Sequence, residues 1–86
     1  NIPAMIRVIS AEKAFALYAA RHPEVKRNFR VYNDSDIPKN NMYFQVANGV
    51  VKHTNQPLPD AEALTISELA DFILADEGLE MNLMLN

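Results

Sequence analysis

The chain has 86 residues, eight Lys or Arg against eleven Asp or Glu for a formal net charge of −3, and no cysteine. A chain this short forms one domain (1–86, with the core over 5–85) and buries roughly 60–65% of the surface its unfolded form exposes, so all apolar elements must share one core. Disulfides, iron–sulfur clusters and thiolate zinc sites are excluded, two histidines are too few for a histidine metal cage, and every apolar run is broken by charge short of the ~18 residues of a membrane span.

Asn1 to Ala4 read as residues left by expression, with the native start at Met5. No secretory signal is evident, so the expected compartment is the cytoplasm. Met5 to Ile9 is short and β-branched and predicts a first strand. Ser10 is a good helix cap, and the alanine-rich run from Ala11 to about His22 sets Ala11, Ala14, Phe15, Tyr18 and His22 on one face at helical spacing. Pro23 ends that helix by disfavouring helical geometry at His22; as a first helical residue it also allows a short second helix over Glu24 to Asn28. Phe29 and Val31 then alternate with Arg30 and Tyr32 as in a half-buried strand. Asn33 to Asn41, with Asp34, Ser35, Asp36 and Pro38, is polar and reads as an exposed loop.

The strongest local signal is Asn48-Gly49 between the β-rich runs Met42–Ala47 and Val50–Thr54. It predicts a type I′ hairpin pairing Ala47 with Val50 and Phe44 with His53. Met42, Phe44, Val46, Val51 and His53 form its core face; Tyr43, Gln45, Ala47, Val50 and Lys52 form the other. Gln56 to Asp60, with Pro57 and Pro59, is an extended connector. Thr65-Ile-Ser-Glu68 is a capping box stapled by Leu64 and Leu69. It opens a helix from Ile66 to about Glu77 that buries Ile66, Leu69, Ala70, Ile73 and Leu74 and stops at Gly78. Leu79, Met81, Leu83 and Leu85 alternate with polar residues as a last strand. The expected class is α+β, a mostly antiparallel sheet in the order β-α-β-β-β-α-β with two helices packed on one face; a ferredoxin-like order is one case of it.

No catalytic, cofactor or metal site is expected. Asp34-Ser-Asp36 opens like a calcium loop, but Lys39 and Gln45 stand where that loop needs glycine and glutamate, so it reads as a turn. With Gly49 and Gly78 the only glycines, no phosphate loop or nucleophile elbow exists. His22 and His53 read as structural. What stands out is the sorting of charge. Residues 1–30 hold six Lys or Arg against Glu12 and Glu24, whereas residues 55–86 hold seven Asp or Glu and no base. The leading expectation is a non-catalytic interaction module that binds a protein partner or a second copy of itself, as a homodimer in which the acidic last helix engages the basic segment. Leu17 and Ala20 on the smooth side of the first helix, and Phe72 off the core stripe of the last, are its candidate contacts. The runner-up is a nucleic-acid-binding regulator gripping phosphates with Arg21, Lys26, Arg27 and Arg30, beside Phe29 and Tyr32.

Overall fold

The computed structural model describes residues 10–76. The expected strands Met5–Ile9 and Leu79–Leu85, and the stop at Gly78, lie outside the described residues. Helix α1 (Ala11–Arg21) starts at Ser10, whose hydroxyl accepts from Lys13 N–H at 3.2 Å. Strand β1 (Arg27–Tyr32) follows a turn in which Val25 N–H donates to His22 C=O at 3.0 Å. The short helix expected over Glu24 to Asn28 does not form. A single helical turn fixes several residues for one hydrogen bond, whereas Arg27 and Asn28 gain ladder partners in Val46 and Gln45.

Strands β2 (Tyr43–Ala47) and β3 (Val50–Thr54) make the expected hairpin, with Ala47 opposite Val50 and Phe44 opposite His53. Both turn residues take the positive φ of a type I′ turn, +56° at Asn48 and +78° at Gly49. Strand β4 (Glu62–Thr65) departs from the expectation, which ran the connector directly into the helix cap. Glu, Ala and Leu are weak strand formers and only Leu64 is buried, so this strand owes its existence to its parallel pairing with β1, from Phe29 opposite Glu62 to Tyr32 opposite Thr65. Helix α2 (Ile66–Leu74) carries the capping box, with Glu68 N–H donating to the Thr65 hydroxyl and Thr65 N–H to the Glu68 carboxylate.

The four described strands form one mixed, mostly antiparallel sheet in the order β3-β2-β1-β4. Phe15 of α1 stacks on Phe29 with ring centres 4.6 Å apart, and Phe72 of α2 meets the same ring at 5.5 Å. Because one side chain points to one side of a sheet, both helices lie on the same face, with α1 across β2 and β3 and α2 along β4 and β1. Between the layers Phe15, Phe29, Val31, Phe44, Val46, Leu69 and Ile73 are fully buried, each contributing roughly 1.5–3 kcal/mol by leaving water. Of the positions expected in this core, Leu74 is 38% exposed and His53 is exposed, while Met42, Val51, Ile66 and His22 are half-buried at its edge. Leu74 and His22 stand at the ends of their helices.

The polar loop is not simply exposed. Pro38–Asn40 forms a 3₁₀ turn, and Asp34 and Asn40 are 2% and 3% exposed. Asn40 Oδ1 accepts from Ala11 N–H at 3.0 Å, and its Nδ2 donates to Asp34 Oδ2 at 2.8 Å. Asp34 Oδ1 accepts from Ile37 N–H, and Asn41 clasps the Asp34 backbone through both amide atoms. The carboxylate that resembled a calcium ligand instead folds the loop over the start of α1. Among the described residues no helix is long and apolar enough to cross a membrane.

Candidate binding face on the open side of the sheet

The helices cover one side of the sheet. Alternation along the strands puts Asn28, Arg30 and Tyr32 of β1, Tyr43, Gln45 and Ala47 of β2, Val50, Lys52 and Thr54 of β3, and Ala63 and Thr65 of β4 on the other. The register arranges them in rows: Lys52, Gln45 and Asn28 in one, Thr54, Tyr43, Arg30 and Ala63 in the next, Tyr32 beside Thr65 beyond. Arg30, Gln45, Lys52, Val50 and Ala63 are exposed, and the two tyrosines are half-buried. The Arg30 guanidinium lies 5.3 Å from the centre of the Tyr32 ring. Among the described residues no Asp or Glu occupies a strand position on this face.

At one end the face runs into a groove of about 360 Å³ lined by Lys26, Arg27, Asn28, Gln45, Pro59 and Asp60 among others. Asn28 Nδ2 donates to Pro59 C=O at 2.9 Å and fixes the connector as the groove's wall. Among the described residues, Lys26, Arg30 and Lys52 have no carboxylate partner within ion-pair distance.

The four cations adjacent in sequence do not act as one cluster. Arg21 lies in the helix layer with its Nε 3.5 Å from Asp76 Oδ2. Arg27 has core-side parity and joins four elements: Nη1 donates to the Tyr18 hydroxyl at 3.2 Å, Nη2 pairs with Glu62, and the guanidinium lies 4.9 Å from the Phe29 ring centre and 5.3 Å from that of Phe72. Partial burial pulls its pKa down, and the bonds to Tyr18 and Glu62 outweigh that, leaving it above the ordinary arginine value. Of the four, Arg30 stands on the open side, where Lys52 joins it from a different part of the chain, and Lys26 lines the groove at its end together with Arg27.

Phe72 is half-buried between Tyr18, Phe29 and the Arg27 guanidinium, covering the edge of the core. Leu17 is half-buried and Ala20 exposed, with Lys13 and Ala16, on the side of α1 away from the sheet. The two histidines occupy separate surroundings. His22 Nε2 lies 2.6 Å from Asp76 Oδ1 and ties the end of α1 to the end of α2, whereas His53 Nε2 lies 3.5 Å from Glu12 at the start of α1. Among the described residues no group of three His, Cys, Asp or Glu side chains converges as a metal site.

Sequence reasoning placed Tyr43, Gln45 and Lys52 on the outward side of the hairpin and Arg30 and Tyr32 between core residues of β1, but did not assemble them. The missing link was the pairing of β1 with β2 across the 33–41 loop. Comparison with protein-family models, with curated proteins and with solved structures gives no match.

Proposed function

We propose that this chain is a small non-catalytic interaction module that meets an acidic partner through the open face of its sheet, in the cytoplasm. The observation that carries this reading is a sheet face with Arg30 on an inner strand, Lys52 on the edge strand β3 and, among the described residues, no carboxylate at its strand positions, on a chain whose net charge is −3; Lys26 adds a cation at the groove beyond, which Asp60 and Glu62 also line. Charge segregated in this way concentrates anionic partners at one surface and repels them elsewhere.

A heparin column tests it. At neutral pH and low salt the wild-type protein is expected to be retained despite its net negative charge, and the double variant Arg30→Gln, Lys52→Gln to flow through with an unchanged melting temperature. Wild-type protein in the flow-through refutes an acidic partner for this face.

Self-association is the second reading, favoured by the exposed carboxylates Glu68 and Asp71 of α2, which complement the open face of another copy, and by the smooth Ala16, Leu17 and Ala20 side of α1. It predicts a dimer in sedimentation that added salt dissociates. A monomer at high concentration and low salt removes it.

A further inference from the structure

We infer that the acidic partner is single-stranded nucleic acid, laid across the open face with bases stacked on Tyr32 and Tyr43 and phosphates met by Arg30, Lys52 and Lys26; this rests on the reading that the open face is the contact surface. Three features of the face select this chemistry over the others that are acidic.

The first is the pair of rings. Tyr43 stands opposite Arg30, and Tyr32 is two residues further along β1. That diagonal separates the Cα atoms of the tyrosines by about 7–8 Å, within reach of neighbouring unstacked bases. The second is what occupies the centre. Protein interfaces concentrate large apolar anchors in their buried middle. Here the two inner strands carry Asn28, Arg30, Tyr43 and Gln45, with Lys52 beside Gln45 on the edge strand β3, and among the described residues the one large aliphatic side chain strongly exposed on this side, Val50 at 54%, sits at the hairpin corner. Gln45, both donor and acceptor, lies in the row beside Tyr43, where a base edge would fall. The third is shape. A four-stranded sheet face is too broad for the major groove of a duplex, which admits a helix or a two-stranded ribbon. Unpaired bases can instead splay onto a flat aromatic surface while their backbone follows the cations. Asp60 and Glu62 at the groove mark the end where the strand must leave the protein.

The test is fluorescence anisotropy with labelled oligo(dT) and oligo(U) at low salt. Binding is expected for both, with log K falling against log salt at a slope of about −2 for three neutralised phosphates. Tyr43→Val and Tyr32→Val, which put another good strand former in place of each ring, are each expected to weaken binding roughly 5- to 150-fold, the range of one lost base stack. The double variant Arg30→Gln, Lys52→Gln weakens it further and flattens the salt slope. If Tyr43→Val does not fold, Tyr32→Val and the double variant carry the test. The proposal is overturned if neither oligonucleotide binds, if a duplex binds more tightly than the single strands, or if the tyrosine variants bind as wild type does. In the last case heparin retention would still stand and the face would be a general polyanion surface. Absence of oligonucleotide binding, with a salt-sensitive dimer that the charge variant abolishes, removes nucleic acid and leaves the open-face reading intact; loss of heparin retention removes both.

Discussion

Replacing Asn40 with alanine should destabilise this protein strongly for a loop substitution. Asn40 is 3% exposed, and its amide serves two buried groups at once: the backbone N–H of Ala11, itself 0% exposed, and the Asp34 carboxylate. Alanine leaves the N–H without its acceptor and takes one donor from the carboxylate. An unsatisfied buried polar group costs about 1–3 kcal/mol, so the pair adds to roughly 3 kcal/mol, a large share of the total stability of a small domain. In a thermal melt followed by circular dichroism, that corresponds to a fall of roughly 12–24 °C at this size. Asn40→Asp sharpens the reasoning. It keeps an acceptor for Ala11 but sets a second carboxylate against Asp34, so it should be no more stable than the alanine variant. Asn41→Ala is the control: Asn41 is exposed, and water can replace its bonds to the Asp34 backbone, so roughly 1 kcal/mol is expected. A melting temperature for Asn40→Ala within a few degrees of wild type would show that the loop does not hold the start of α1.

Gly49→Ala should lower stability by roughly 1–2 kcal/mol, the penalty of a side chain in left-handed backbone; at φ +78° the new Cβ meets Pro23 Cβ at 3.6 Å, an ordinary contact, so strain rather than collision sets the size of the effect. Urea unfolding reads it, and an unchanged midpoint would contradict the type I′ assignment. Arg27→Met, which keeps an apolar stem but loses the cation, should cost roughly 1–2 kcal/mol in cation–π and ion-pair contacts. Because the folded-state pKa of Arg27 is raised, its contribution is complete below the ordinary arginine value and is lost only as pH climbs through the folded one. The difference between wild type and variant should therefore stay flat from neutral into moderately alkaline pH, and a difference that shrinks over that range would count against the assigned contacts.

What could be read in advance was local. Asn48-Gly49, Thr65 with Glu68, and Ser10 ahead of an alanine-rich run each set neighbouring backbone through sterics or a single side-chain bond, and each appears as expected. What could not be read was pairing at a distance. Strand β4 has no composition of its own to announce it and depends on β1 lying more than thirty residues away. Asp34 and Asn40 look like ordinary loop residues until the start of α1 comes down beside them. The same holds for the candidate site: Arg30, Tyr32, Tyr43, Gln45 and Lys52 faced outward in the sequence pattern, whereas Lys26 and Asn28 were expected in a short helix, and Arg30 and Tyr43 became neighbours only through the ladder between β1 and β2. The charges misled in the opposite direction, since proximity along the chain suggested a cluster that Asp76 and Glu62 divide.

The alternation within β1 has an evolutionary corollary. Phe29 and Val31 are anchored in the packed interior while Arg30, between them, looks into solvent. Two demands are thus written into alternate letters of one short word, and either can be edited without touching the other. A lineage carrying this domain could change the chemistry of its outward face by rewriting every second position of three adjoining segments and never pass through an unfolded ancestor.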